Sequence, residues 1–302
     1  MVDIRQSLQY AKYLSSIGWI TERIEETNYF IKKFPLIGSI LKVQRPERVD
    51  FDTIDKLCRK HRVFQVIIEP SLAIGFGTVS KENHASCGRT FVNVHKLMLS
   101  HGFKLSKSPY LPSKTLQIDL TQSQTSIFKH IKKDARYAIK RGSGLVIKSY
   151  STPDEIKKWH DAWKNSVKFD RYVPPLKQLM NLRKSFGPHG SLFLASHNII
   201  SRIIGGALFT ISSHERSNYI TYYWYGFTNS EGRTSLSQYS LLYQGILWAK
   251  KQGCKVFDFE GVYDSRFPNK TWLGFSHFKR SFGGNEIEYP GCFIKNRLPF
   301  KI

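Results

Sequence analysis

The stretch that most restricts what this chain can become lies between Ser191 and Phe227. Three runs rich in β-branched and aromatic residues, 191–196, 202–212 and 218–227, are separated by His197-Asn198 and His214-Glu215-Arg216-Ser217. Short polar connectors between such runs predict an antiparallel meander. Upstream, 124–141 places Phe128, Ile131, Ala135, Ala138 and Ile139 at helical spacing behind Ser123 as N-cap. Lys129, Lys132, Lys133, Arg136 and Lys140 fall on the opposite stripe, and Gly142-Ser143-Gly144 ends the helix. A strand over 145–149 and a helix capped by Ser151-Thr152, with Pro153 in its first turn, come next. After the meander, 235–252 reads as a helix stopped by Gly253, and 256–259 as a buried strand.

Helix, strand, helix, three-strand meander, helix, strand resembles the order of a GNAT-type acyltransferase domain. The first half offers a fainter version, with Phe64-Gln65-Val66-Ile67-Ile68-Glu69-Pro70 as a strand and 94–101 as a helix before Gly102-Phe103. The expected class is therefore α/β (α+β), two tandem GNAT-like domains with mixed, largely antiparallel sheets: a first lobe over 1–118 and a second over 119–289. No repeat of 20 to 50 residues, heptad array or low-complexity tract competes with that reading.

At 302 residues, 41% apolar and 14% aromatic, the chain has ample core for one large or two medium domains. Cys58, Cys87, Cys254 and Cys292 are scattered without C-x-x-C or zinc spacing, which argues against a disulfide framework and against a metal site; a reducing cytoplasm fits. Met1-Val2-Asp3-Ile4-Arg5 is not the start of a signal peptide, and no apolar run approaches the roughly 18 residues that cross a bilayer, so neither export nor membrane spanning is expected. The balance of 46 Lys plus Arg against 23 Asp plus Glu gives a net charge of +23. That excess draws in polyanions, and it speaks of partners rather than fold. There is no G-x-S-x-G, H-E-x-x-H, P-loop or G-x-G-x-x-G, and the ten histidines lack ligand spacing.

Near the end, Phe257-Asp258-Phe259-Glu260-Gly261 leads through Pro268 and Asn269 to Phe275-Ser276-His277-Phe278-Lys279-Arg280-Ser281-Phe282-Gly283-Gly284. A Phe-Lys pair thus sits in an aromatic, glycine-closed setting. The stretch resembles the Fem family of aminoacyl-tRNA-dependent peptide-bond-forming transferases, which attach amino acids to bacterial cell-wall precursors. Thr115-Leu116-Gln117-Ile118-Asp119-Leu120 and the basic run from Lys132 to Arg141 look like the family's "TL-x-DL" strand and basic helix. Gln6-Ser7 followed by Gly18-Trp19 looks like its opening, and Tyr223-Trp224-Tyr225-Gly226 like its central aromatic strand. The order of these motifs spans roughly the whole chain. With no charged helical stretch long enough for the helical arm of some relatives, the chain looks like the compact, armless subtype, and in relatives the C-terminal tail, here 290–302, returns to the first lobe.

The resemblance implies aminoacyl-tRNA as the donor substrate, with no cofactor. In an acyl-CoA-dependent GNAT domain a glycine-rich turn after the fourth strand presents N–H groups to the pyrophosphate. Here Thr228-Asn229-Ser230-Glu231-Gly232-Arg233-Thr234-Ser235 holds that place with one glycine and a glutamate, so the CoA cradle looks lost. An aminoacyl ester is already activated, and its attack by an amine needs positioning and positive potential where the oxyanion develops. Lys279, held by Phe278, is the candidate for that potential; in the family the matching pair lies at the catalytic centre. Asp258 either accepts a hydrogen bond from the attacking ammonium or caps the turn around Gly261. Family mechanisms invoke the substrate itself more than a dedicated protein base.

For the acceptor, a UDP-linked or lipid-linked muramyl peptide precursor, motif position singles out Arg171 with Tyr172, after Lys168-Phe169-Asp170, and Tyr225. Relatives often carry a diphosphate-holding basic residue four or five positions after the opening aromatic; Tyr10 is followed there by Leu14 and Ser15, with Lys12 as the substitute. Tyr222 to Tyr225 alternate faces, so about half are core. The stripe of Lys129, Lys132, Lys133, Arg136 and Lys140 reads as a tRNA contact or as a solvated helix face. The expected location is cytoplasmic, with peripheral contact at the inner membrane face left open. The rival readings are a GNAT-like N-acyltransferase using acyl-CoA or acyl-carrier protein in polysaccharide or lipid modification, and a non-catalytic RNA-binding or membrane-surface module.

Overall fold

The computed structural model describes residues 2–71, 84–167, 171–212 and 219–297, without the side chains of 84–91 and 143. Cys87, Lys168-Phe169-Asp170, the connector His214-Glu215-Arg216-Ser217 and the last five residues of the expected returning tail lie outside that description. The chain forms two compact units. One takes Val2–Lys114, Tyr263–Lys270 and the chain from Ile287; the other takes Thr115–Val262 and Thr271–Glu286. The sequence reading divides the chain after 118 and returns 290–302 to the first lobe; the structure changes unit at Lys114/Thr115, takes Tyr263–Lys270 into the first unit, and returns to it from Ile287.

In chain order the first unit runs α1 (Leu8–Ser16), β1 (Ile20–Ile24), β2 (Thr27–Phe34), β3 (Gly38–Gln44), α2 (Phe51–His61), β4 (Val63–Glu69), α3 (His84–Ser100) and β5 (Lys104–Leu105). Then come β6 (Lys114–Asp119), α4 (Gln124–His130), α5 (Lys133–Arg141), β7 (Val146–Tyr150), α6 (Pro153–Ser166), α7 (Leu176–Gly190), β8 (Ser191–His197), β9 (Ile203–Ser212) and β10 (Ile220–Thr228). The chain continues as α8 (Ser230–Thr234), α9 (Ser237–Lys251), β11 (Val256–Gly261), α10 (Leu273–Arg280), β12 (Asn285–Glu288) and β13 (Phe293–Asn296).

The first sheet has the order β1-β2-β3-β4-β13-β5, and β3/β4 is its one parallel pair among the described strands, joined through α2. Parallel neighbours need a crossover, and α2 supplies it, capped by Asp50 accepting from the Thr53 N–H at 3.0 Å. Ile54 and Leu57 of α2 and Met98 of α3 pack on Tyr29, Leu41, Val66 and Phe293 of the sheet.

The second sheet has the order β12-β6-β11-β10-β9-β8-β7, with the meander of β8, β9 and β10 antiparallel as the sequence predicts. Here too one pair, β10/β11, is parallel, and α8 and α9 make the crossover. Leu241, Leu242 and Ile246 of α9 bury against Phe209, Phe257 and Phe259. On the helix α6, the fully buried Trp159 meets Phe193 and Phe227 edge-on and donates its indole N–H to the Leu194 carbonyl at 2.9 Å. Thr152 and Glu155 close α6 with the capping box that Ser151-Thr152-Pro153 announces. The result is the expected mixed α/β class, two largely antiparallel sheets that each contain a parallel pair among the described strands.

Local expectations fail where tertiary contacts outweigh periodicity. The single helix expected over 124–141 is two, because Ile131 (ψ 135°) and Lys132 (ψ 152°) are extended. The break buries Ile131 and lets the Lys132 N–H donate to the Ser281 carbonyl at 2.8 Å. Likewise α9 starts at Ser237, since Leu236 is left-handed (φ 57°) and closes the separate turn of α8.

Candidate active site

Two adjacent strands part at the centre of the second unit. The parallel register of β10 and β11 covers Ile220↔Val256, Thr221↔Phe257 and Tyr222↔Asp258, after which β10 runs on to Thr228 and β11 to Gly261 without pairing to each other. On its other side β10 carries a bulge between Tyr223 and Tyr225. The extra residue, Trp224, breaks the face alternation expected of Tyr222 to Tyr225. Tyr222 is buried; Tyr223 packs on Phe209, and its hydroxyl accepts from the Gln238 amide at 2.8 Å.

The Lys279 ammonium contacts both parted strands. It donates to the Gly261 carbonyl of β11 at 2.7 Å and lies 5.8 Å from the centre of the Tyr223 ring of β10, with Phe275 at 5.0 Å. The residue is 9% exposed on α10, which excludes the exposed loop lysine. Burial pushes its pKa down to about 8, against the opposing pull of Glu260 and Asp258. Two glycines hold this helix end in place. Gly283 (φ 78°) and Gly284 (φ 92°) are left-handed, and a Cβ on either would run into the His130 or the Gln117 carbonyl. Phe278 itself turns to the core, edge-on to Tyr239 (4.8 Å) and Phe282 (5.6 Å). It fixes the helix rather than facing the ammonium's partners.

Asp258 is 2% exposed at the last position of β11 that pairs with β10. Its carboxylate accepts from the Thr115 hydroxyl, from the Gln117 amide at 2.8 Å and from the Glu260 N–H at 2.6 Å. Desolvation first, and then the neighbouring Glu260 charge, push its pKa up to about 6. The turn-capping alternative is thus present: Glu260 is held left-handed (φ 60°) in the bulge between Asp258 and Gly261. A non-glycine residue in that region is strained, and strain of this kind gathers at functional sites.

The remaining sequence candidates fall elsewhere. Tyr225 packs on Trp163 at 5.2 Å, and burial, with Tyr172 adding, lifts its phenol to about 12. Arg171 and Tyr172 are exposed, Tyr172 reaching Gln178 at 3.3 Å. Lys12 is exposed on α1 of the other unit. Lys129, Lys132, Lys133 and Lys140 are exposed on α4, α5 and the link between them. Arg136 is different: its guanidinium donates to the Lys129 (2.9 Å) and Ile131 (2.6 Å) carbonyls and so caps the end of α4.

In the place of a phosphate-binding turn, Asn229 accepts from the Gly232 N–H at 2.8 Å, and the N–H groups of Arg233, Ser235 and Leu236 donate within the turn. Among the described residues no group of three or more His, Cys, Asp or Glu is disposed to hold a metal, and Cys58, Cys254 and Cys292 are buried thiols.

Solved structures share this architecture. The structure of FemX superposes with a TM-score of 0.75 over 98% of this chain and 92% of that one, at 13% identity. The chain has the fold of FemX. L-PGS from Bacillus licheniformis follows at a TM-score of 0.55 and 12% identity, covering 96% of this chain and 87% of that one. A tandem GNAT protein from the clavulanic acid biosynthesis pathway gives 0.52 and 12%, covering 92% and 83%. The fold is thus one shared with FemX and with a tandem GNAT protein. No protein-family model matches the chain, and no curated protein sequence does.

Sequence reasoning placed Tyr223, Phe275 and Glu260 within its motifs but gave none of them a role: Tyr223 and Phe275 lie beside the Lys279 ammonium, and Glu260 in its strained turn. The signal for Glu260 was its position before Gly261, where a strand ending in a carboxylate and a glycine marks a turn.

Proposed function

We propose that this chain is an aminoacyl-tRNA-dependent transferase that adds an amino acid to the stem-peptide amine of a UDP-linked or lipid-linked peptidoglycan precursor. The observation that carries the reading is the Lys279 ammonium, buried where β10 and β11 part and bonded, among the described residues, to one acceptor, the Gly261 carbonyl. Its pKa near 8 keeps it mostly protonated at neutral pH. A buried cation with N–H donors to spare is what a developing oxyanion needs, and low dielectric strengthens the interaction.

In the reaction the free amine of the acceptor attacks the ester carbonyl carbon. The C–N bond forms, the C–O bond to the terminal ribose breaks, the nitrogen loses a proton and the ribose oxygen gains one. Lys279 steadies the tetrahedral oxyanion between these events. Asp258 and Glu260 both pull on the charge of the Lys279 ammonium, a negative potential suited to an incoming ammonium before it loses its proton. The filled turn at Asn229–Leu236 supports a donor other than acyl-CoA, and the +23 charge supports a polyanionic one.

The test is incubation with a pool of labelled aminoacyl-tRNAs and muropeptide precursors, read by mass spectrometry, with acetyl-CoA in a parallel reaction. A precursor heavier by one or more amino acids is the expected product. Acetyl transfer without aminoacyl transfer would replace this reading by the CoA-dependent one.

A further inference from the structure

The turn joining β2 to β3 is built in an unusual way for a surface exposed to water. Its tip is Pro35-Leu36-Ile37, with Leu36 103% and Ile37 62% exposed and the preceding Phe34 39% exposed. Leu36 is left-handed (φ 65°), a position that glycine or asparagine fills without steric cost. An apolar side chain is therefore held outward at a strained position, where folding of the unit gains nothing from its burial. The base of the turn is rigid: the Ile37 N–H donates to the Pro35 carbonyl at 2.8 Å, Phe34 packs on Phe64, and Gly38 (φ 110°) sits against the Arg62 carbonyl.

Around the tip the charge is basic. Lys33, Lys60 and Arg62 line one hollow with Phe34, Leu36 and Ile37. Glu22 engages Lys60 (2.7 Å) and His61 (2.6 Å), whereas among the described residues neither Lys33 nor Arg62 has an acidic partner. A convex apolar tip inside a cationic rim matches the boundary of an anionic bilayer, where apolar side chains enter the acyl region and basic ones meet headgroups. No described helix is long and apolar enough to cross a membrane, so the contact is interfacial.

We propose that the β2–β3 turn is a membrane-docking wedge that inserts Leu36 and Ile37 into the interface of an anionic lipid bilayer, with Lys33 and Arg62 on the headgroups. It requires nothing of the transferase reading, since docking is measured without tRNA or acceptor and either can fail alone. The experiment is co-sedimentation of the full chain with phosphatidylcholine vesicles, with and without phosphatidylglycerol, at low and high salt. Wild type should bind the anionic vesicles and leave them as salt rises. Leu36→Ser with Ile37→Ser should weaken partitioning at least ~10-fold, and Lys33→Glu with Arg62→Glu should do the same and remove the preference for anionic lipid. Thermal melting should be unchanged in both, because the altered side chains are exposed.

Three results would overturn the proposal. One is a wild type that ignores anionic vesicles. Another is unchanged binding in the Leu36/Ile37 variant, above all if binding is lost instead on changing Ile199 and Ile200, the exposed pair in the β8–β9 turn. The third is a Leu36/Ile37 variant that keeps its vesicle binding but elutes as a smaller species than wild type by size exclusion, which would make the tip a self-association surface.

Discussion

Replacing Lys279 by Met should make the protein a worse enzyme and a more stable one. The unfolded lysine titrates at its ordinary 10.5, and burial lowers the folded value to about 8. At 1.36 kcal/mol per pH unit, keeping that ammonium charged inside the fold costs about 3 kcal/mol below pH 8. Losing its bond to the Gly261 carbonyl takes back about 1 kcal/mol, so Lys279→Met should gain about 2 kcal/mol at pH 7. The sign reverses the usual case of a paired lysine. The folded state releases this proton first, so wild-type stability rises with pH between about 8 and 10.5 as the cost disappears, and the variant's advantage should fade over that window. Urea unfolding of both proteins at pH 7 and at successively higher pH measures the difference directly. The same substitution should lower kcat about 100- to 1000-fold, the usual loss for one oxyanion donor. A variant that is less stable at pH 7, or a difference independent of pH, would refute the buried ammonium; unchanged kcat would refute its role.

Asp258→Asn should show the opposite pH profile. Its folded pKa of about 6 lies above the ordinary 3.8, so the wild type loses stability as pH rises through that interval, and the variant's relative stability should grow there by about 3 kcal/mol in the same unfolding assay. Reversing Lys129, Lys132 and Lys133 to Glu should weaken tRNA binding and flatten its dependence on salt, measured by filter binding at several ionic strengths; an unchanged slope would remove these side chains from the interface. Arg136→Ala should instead cost about 1–2 kcal/mol of thermal stability, because its guanidinium serves the end of α4. Gly284→Ala should cost roughly 2 kcal/mol or more, since its left-handed backbone and the Gln117 carbonyl leave no place for a methyl.

The second unit was legible because its patterns are local. The meander, the Thr152 cap and the glycine stop after α9 each announce themselves within a few residues. The break of α4 from α5 was not legible, because its reasons, the Ser281 carbonyl and the pocket for Ile131, come from far along the chain. Arg136 looks like one more cation on a stripe until the break gives it carbonyls to cap. The β1–β2–β3 ladder was missed for a similar reason: Lys32, Lys33 and Lys42 interrupt the apolar alternation that would mark its strands. At the site, the sequence marked Lys279 and Asp258 by motif. The bulge at Trp224 that sets Tyr223 against the ammonium depends on register with β9, which no single segment encodes.

The position of β13 has a consequence for how the protein is made. Phe293–Asn296 lies between β4 and β5, so the partner of Val66, Ile67 and Ile68 leaves the ribosome only after all the chain from β6 to β12. During synthesis β4 waits as a bare apolar edge, the kind that recruits other nascent chains. The opening sheet is closed only once the intervening second unit has been made, and a ribosome that stops before Phe293 releases a sticky, unfinished product.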